Sequence, residues 1–395
     1  MKLKRCYSFS IKKLKNIIIY GFFLFAFLKP DSLEYIGLQW LDKLLVITDG
    51  LVMTGLIVLL VLRKYKMSIF SALIFSIYFF IGVYTFLGTK DYFSLIKVAG
   101  TTVGFSLFTD FMIQRKPDIY FKGSIIVLTA LFLINLVTII QFYPEGMYKT
   151  DKVNGDLYFM GHDNGMIYNL IPLCALSLLY SYLKLKKIWT WYTLTSFSLA
   201  FFSEIYVRSA TGIIEVLLLL LLVVMYDNRY FRKIIRPEIL FGFYFIVNIL
   251  LVYFRIQKFF SRLIVGVFGK DVTLTGRTYL WDYAIQRIVE NNFQGYGMGT
   301  LIYGVNGHTY PHCHNLLLDF LYTGGFFSLI LFTILLFVFS KKYHDLPDKK
   351  IGKLILIPLF ILLFGETTAA IPYKVFFWSF FVLIQYADQI QNSLK

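Results

Sequence analysis

Apolar runs of about 18 residues or more recur along the whole chain, separated by short polar connections. Runs of that length cross a membrane as helices, whereas buried strands end after a few residues. Windows of about 20 residues place spans near 16–36, 43–62, 67–87, 92–112, 123–143, 164–183, 188–205, 211–226, 239–256, 316–340, 353–370 and 373–388. The span near 92–112 is the most interrupted, by Asp91, Lys97 and Asp110. The pattern predicts an all-α, polytopic membrane protein with about 12 transmembrane helices, an even number that puts both termini on one side. No internal repeat and no low-complexity linker divide the chain, so residues 1–395 read as a single domain.

Composition agrees with the pattern: 58% of residues are hydrophobic and only 16% are charged. The net charge of +16 could point to nucleic acid. Its placement points elsewhere. The basic N-terminus and the connections RKYK (63–66), QRKPDIYFK (114–122), KLKK (184–187), DNRYFRKIIRPE (227–238) and KKYHDLPDKK (341–350) alternate along the chain and hold more than half of the 39 Lys and Arg residues. Cytoplasmic segments carry that excess, so both termini are expected in the cytoplasm and no nucleic-acid partner is implied. The basic start runs into an apolar stretch without a small-residue cleavage site, which predicts that the first helix is retained. Cys6, Cys174 and Cys313 fall in a basic terminus, an apolar span and a loop, so no disulfide framework is expected.

Two connections on the opposite face are long, 144–163 and 257–315. Inside the second, RTYLWDYAIQRIVENNF (277–293) has a helical period, with Leu280, Trp281, Ala284, Ile285, Ile288 and Val289 on one face and Asp282, Gln286, Arg287 and Glu290 on the other. Thr275 and Gly276 precede it as caps, and GYGMG (295–299) follows as a flexible turn. The helix is expected to rest on the outer membrane surface or to cover a cavity. GYGMG lacks the strand, helix and lysine of a phosphate loop.

The chemistry-bearing residues cluster on the same face. HTYPHCHNLLLDF (308–320) holds three of the chain's five histidines. Zinc ligands come as spaced pairs, and residues 312, 313 and 314 cannot easily converge on one ion, so no metal is expected. His308 and His312 read as loop residues and Cys313 as a bystander. His314, followed by Asn315 and then an apolar run, stands at the membrane boundary, where a neutral imidazole can accept a proton; capping of the span is the alternative.

Arg208, in EIYVRSATG (204–212), lies where two spans meet with no long loop to hold it in water. A charge at that depth is costly and points to function, against an ion pair with Glu204 at i, i+4 spacing. Arg277 opens the predicted loop helix, where a cation opposes the dipole but, with the helix N-terminus, makes a phosphate cradle; a lipid headgroup contact is its alternative. Two arginines placed against stability suggest a dianionic ligand such as a lipid-linked pyrophosphate. His162, Asp163 and Asn164 in FMGHDNGMIYNLIPL (159–173), and Glu366 in LLFGETTAAIP, are further polar residues at outer helix ends, where capping is the competing reading.

The series GHDNG (161–165), VRSATG (207–212), GRTYLW (276–281) leading to GYGMG, and HCHNLLLDFLYTGGF (312–326) resembles the O-antigen ligase/polymerase superfamily, which includes the Wzy-type polymerases of capsular and O-antigen polysaccharide. The resemblance covers roughly the C-terminal half. It implies that Arg208 and Arg277 hold the pyrophosphate of an undecaprenyl-linked sugar chain and that His314 is the catalytic histidine, accompanied by Asn315. Asn315, His162, Asn164, Trp281 and Glu366 are the candidate substrate-binding residues. Val207 stands where the family often has Ser, and Asn292-Phe293-Gln294 where it often has Pro. The implied activity is polymerisation of undecaprenyl-pyrophosphate-linked repeats on the outer face of the cytoplasmic membrane, inverting and without metal or other cofactor. A chain-length regulator and a flippase are the implied partners besides donor, acceptor and bilayer. A ligase that transfers finished chains is the nearest alternative, and a transporter or flippase of lipid-linked glycans the alternative of another class.

Overall fold

A computed structural model of the chain describes residues 11–150, 153–266, 273–274, 276–304, 308–369 and 374–394. Each of the twelve predicted windows overlaps a helix: α1 (Ile11–Phe27), α2 (Gln39–Val61), α3 (Ile69–Leu87), α4 (Tyr92–Arg115), α5 (Pro117–Phe142), α6 (Ile167–Leu185), α7 (Trp191–Tyr206), α8 (Ala210–Met225), α9 (Pro237–Val252), and, after α10 (Ser261–Gly266) and α11 (Arg277–Glu290), α12 (Leu316–Asp345), α13 (Lys349–Gly365) and α14 (Val375–Gln385). A short α15 (Ala387–Leu394) follows. Six of these, α2 to α6 and α12, are long and apolar enough to cross a membrane, α6 together with the turn before it. The architecture is that of an all-α, multi-pass membrane protein.

Side chains at the helix ends explain the boundaries. Ser68 caps α3 by accepting from the Ser71 N–H (3.1 Å), Asp91 caps α4 by accepting from the Ser94 N–H (3.1 Å), and Pro117 opens α5 where a missing N–H costs nothing. Of the three charges noted in this span, Asp91 and Asp110 are accounted for near the ends of α4, and Lys97 stands within it. Asp91 is its cap, while buried Asp110 accepts from the Ser68 N–H (3.0 Å) at the start of α3. Helices α6, α13 and α14 are buried along nearly their whole length and form the centre, and α2 lies at the edge with most of its surface exposed.

Three features depart from the sequence expectations. Residues 144–163 are not a plain loop: β1 (Tyr148–Thr150), β2 (Val153–Tyr158) and β3 (Gly161–His162) pair antiparallel in that order, with Leu157 opposite His162. Asn135 of α5 holds this sheet to the bundle by accepting from the Met160 N–H (2.8 Å). A second small hairpin, β4 (Ile302–Tyr303) with β5 (Thr309–Tyr310), precedes α12.

The second departure is α11, which ends at Glu290 and is docked on the protein. Leu280, Trp281, Ala284 and Ile288 are buried in a cluster with Cys313, Leu318 and Tyr322 of α12 and its approach, while Val289 points outward at 55% exposed. Arg255 fastens its start: the guanidinium pairs with Asp282, donates to the Thr278 carbonyl (3.3 Å) and stacks over the Trp281 ring at 5.4 Å. Cap residue Thr275 and Cys6 lie outside the described residues.

The third departure is GYGMG, which is a close-packed strap. Helix α12 breaks at Gly325 (φ 64°), freeing carbonyls that a continuous helix would use. The N–H groups of Tyr296 and Gly297 donate to the carbonyls of Tyr322 (2.8 Å) and Thr323 (2.9 Å), and the Met298 N–H donates to Thr85 Oγ1 (2.8 Å) at the end of α3. Buried backbone groups are satisfied at the break, as a membrane interior demands. Gly297 has φ +85°, and a Cβ there would stand 2.5 Å from Thr85 Cα. Gly297→Ala is expected to cost about 2 kcal/mol or more through this overlap and the left-handed backbone, read as a lower unfolding temperature in detergent. Gly242→Ala in α9, where a Cβ meets nothing within 4 Å, is the control and should leave that temperature unchanged or raised.

Candidate functional site

The ends of α7, α9 and α13 and the beginnings of α6, α8 and α12 meet on one side of the bundle. Three direct hydrogen bonds tie them: the Ser209 hydroxyl donates to Asn164 Oδ1 (3.2 Å), the Leu316 N–H donates to the Glu366 carbonyl (3.0 Å), and Asn315 Nδ2 donates to Asn248 Oδ1 (2.6 Å). Arg208, Arg277 and His314 all stand at this end, each at or next to a helix N-terminus. Ser209 caps α8 by accepting from the Gly212 N–H (3.2 Å), Arg277 is the first residue of α11 after Gly276, and Asn315 caps α12.

The backbone enters the left-handed region at all three places, at a cost for the two non-glycine residues. Arg208 (φ 53°) and His314 (φ 51°) are non-glycine residues in the left-handed region, and Gly276 (φ 82°) occupies it before Arg277. Such conformations cost of order 1–3 kcal/mol at non-glycine residues and persist where surrounding contacts impose them.

For His314 those contacts are visible in Asn315, which is 1% exposed. Its Oδ1 accepts from the Leu318 N–H (3.1 Å), and its Nδ2 donates both to Asn248 Oδ1 and to the Thr367 carbonyl (2.9 Å). The carboxamide is thus committed to α12, α9 and the end of α13. Asn315, read from the sequence as substrate-binding, has both amide N–H donors and its oxygen engaged within the protein, an arrangement that suits positioning of His314. Trp281, read in the same way, is 0% exposed and anchors α11 beneath Arg255. Glu366 is 1% exposed at the end of α13, contributing its carbonyl to α12. His162 and Asn164 stay accessible: His162 Nδ1 accepts from the Asn164 N–H (3.2 Å) and lies 2.7 Å from Asp163 Oδ1.

His312 lies in the loop before α12, as read from the sequence, but is only partly exposed and paired with His314. The His312 and His314 rings lie 4.2 Å apart, with the His314 N–H aimed at His312 Nδ1 (3.4 Å) and the Tyr310 ring 5.7 Å from that of His314. Cys313 is fully buried, and its N–H donates to Asp319 Oδ1 (3.0 Å); burial and the Asp319 carboxyl raise its thiol pKa, so it stays an inert thiol. His308 is exposed in the β4–β5 turn, away from the pair. Among the described residues no three His, Cys, Asp or Glu side chains are grouped to hold a metal ion.

Charge completes the picture. Arg277 is half-buried, has no ion-pair partner among the described residues, and burial lowers its pKa. Burial pushes His314 down to about 2, helped by the neighbouring His312, Arg277 and His162; burial and Arg277 push His312 down to about 4. These four side chains therefore feel one another's field. Arg208 stands apart from them, exposed, with its guanidinium 5.7 Å over the Tyr143 ring and linked to His162 through Ser209 and Asn164. The ion pair with Glu204 considered from spacing does not form. Glu204 is 0% exposed, and its carboxylate fills the space over Gly212, where a Cβ would meet Oε2 at 1.8 Å. The site presents fixed positive charge, three helix N-termini and two neutral imidazoles, a surface suited to a multiply charged anion.

Sequence reading missed Asn248, Ser209, Tyr143 and Arg255. Asn248, a lone carboxamide in the apolar run FYFIVNILLV, was the one with a local signal.

Residues 195–333 fit the family described as O-antigen ligase. No curated protein and no solved structure matches the chain.

Two outcomes test this geometry. Asn315→Ala strips the α12 cap and leaves Asn248 Oδ1 and the Thr367 carbonyl unanswered, and should cost about 3 kcal/mol in denaturant or thermal unfolding. Acid should also destabilise the protein. Both histidines have folded-state pKa values below the ordinary 6.5, so the stability they contribute is present above pH 6.5 and is lost as pH falls toward about 4 and then about 2. The His312→Asn/His314→Asn protein should show a flatter fall in unfolding temperature between pH 7 and 4.5; parallel curves would refute the assignment.

Proposed function

With residues 195–333 placed in the O-antigen ligase/polymerase superfamily, we propose that this chain is a membrane glycosyltransferase that polymerises oligosaccharide repeats carried on undecaprenyl pyrophosphate, on the outer face of the cytoplasmic membrane. The observation that supports this most is Arg277, without an ion-pair partner among the described residues, beside two neutral histidines at the starts of α11 and α12. An anion is the missing partner of that charge. A lipid-linked pyrophosphate supplies it and is also a good leaving group.

In the proposed reaction the terminal hydroxyl of an incoming lipid-linked repeat attacks the anomeric carbon of the growing chain. A C–O bond forms there as the bond to the pyrophosphate oxygen breaks with its electron pair. Arg277 and Arg208, with the N–H groups at the starts of α11 and α8, stabilise the charge that collects on the pyrophosphate. His314 takes the hydroxyl proton. Burial, and after it the neighbouring His312, Arg277 and His162, suppress its basicity. A bound dianion favours the protonated imidazole and so acts against these neighbours, raising the His314 pKa. In-line displacement inverts the anomeric centre. His162 and Asn164, accessible beside Ser209, are proposed contacts to the glycan; Glu366 is assigned to the same pocket.

A ligase of the same superfamily differs in its acceptor. Incubating the reconstituted protein with one defined lipid-linked repeat separates the two: a polymerase builds a ladder from that single substrate, in the presence of chelator, and a ligase does not. Arg277→Ala and His314→Ala are each expected to slow ladder formation about 100-fold or more. A His314→Ala protein with full turnover would remove the assigned base.

A further inference from the structure

At the opposite end of α5 and α7 from the proposed site, the two helices enclose a groove of about 460 Å³. Its walls include Ile126, Ala130 and Leu133 of α5 and Trp191, Tyr192 and Thr195 of α7. The lining is almost wholly apolar. Lys122 precedes Ile126 by four residues on the same face of α5 and so stands at the head of the groove. Its ammonium lies 5.9 Å over the Tyr180 ring, and that ring packs edge-on against Tyr192 at 6.2 Å.

The charge there is unbalanced. Lys13 (2.8 Å), Lys122 (3.3 Å) and Lys184 (4.0 Å) surround the single carboxylate of Asp118, so three ammonium groups share one acid. Trp191 is 84% exposed at the same level, where a headgroup-layer aromatic belongs. From Lys122 to Leu133 the helix rises about 16 Å, about half of the ~30 Å hydrocarbon core. That is the reach of one acyl chain in one leaflet.

We propose that this groove binds an anionic glycerophospholipid, one acyl chain lying between α5 and α7 and the phosphate facing Lys122 and Lys184. The lipid-linked donor does not fit this role, because Arg208 and the β1–β3 sheet lie at the other ends of these helices. A zwitterionic lipid fills the groove but leaves the excess ammonium charge unanswered. The inference rests on the groove and its lysines and does not depend on the proposed reaction.

Native mass spectrometry of the full-length protein in detergent, with phosphatidylglycerol and phosphatidylethanolamine of the same acyl chains, tests it. Phosphatidylglycerol should be retained at least about fivefold better, the ratio equivalent to roughly one lysine contact. Lys122→Gln/Lys184→Gln should bring the two lipids level, and Ala130→Trp, which fills the groove, should lower retention of both. Equal retention by the unaltered protein, or a preference unchanged in the lysine variant, overturns the headgroup assignment; retention unchanged by Ala130→Trp overturns the groove. If the double variant does not purify, Lys184→Gln alone, which keeps two ammonium groups around Asp118, should at least halve the ratio, and an unchanged ratio counts against the proposal.

Discussion

The carboxamide of Asn315 is the interaction on which the rest of the site depends. In a membrane bundle, apolar contact between helices gives little selectivity of position, because lipid is as apolar as the helix faces it would replace. A buried polar group with fixed partners does select. Asn315 joins the start of α12 to Asn248 of α9 and to the Thr367 carbonyl after α13, and the adjacent Leu316 N–H adds the Glu366 carbonyl. His314 is the next residue outward, and its left-handed backbone is held from one side by this clamp. The position of the proposed base is therefore set by the core and not by the loop that leads to it.

The same economy governs the cations. A guanidinium at the first residue of a helix opposes the dipole, and left-handed backbone at Arg208 and His314 adds strain; each is unfavourable for folding. The apolar centre of α6, α13 and α14 carries that cost. What is gained is a surface already arranged for negative charge, with little left to reorganise when an anion arrives.

The helices were legible in the sequence because apolar runs announce themselves in one dimension: each window met a helix, and six of these are long and apolar enough to cross a membrane. Residues 277–290 were legible for a related reason: a 3.6-residue period survives inside a long loop. What the pattern could not show were contacts between distant segments. GYGMG looks like a flexible turn until the break at Gly325 brings carbonyls for Tyr296 and Gly297 to answer. Nothing in the pattern ties Asn315 to Asn248 and Thr367, or sets Trp281 against α12. His312 seemed one solvated residue among three; the turn that aims the His314 N–H at its ring pairs them. The small sheet at 148–162 was hidden by its length, its strands being two to six residues.

The two arginines differ in how they are held, and the difference divides their labour in the proposed reaction. Arg277 is half-buried on a helix fixed at both ends, by Arg255 at its start and by the strap bonded to α12 and α3 after its end. Moving it would break the hydrogen bonds that close the α12 kink. Its charge acts where water is partly excluded, and each contact with a developing anion is correspondingly strong. Arg208 is exposed over Tyr143, on a short turn between α7 and α8. Its field is screened by solvent close to the protein but reaches an approaching anion first, so it suits capture and orientation of the pyrophosphate. Loss of Arg208 should then weaken binding of the donor more than the chemical step, and loss of Arg277 the reverse.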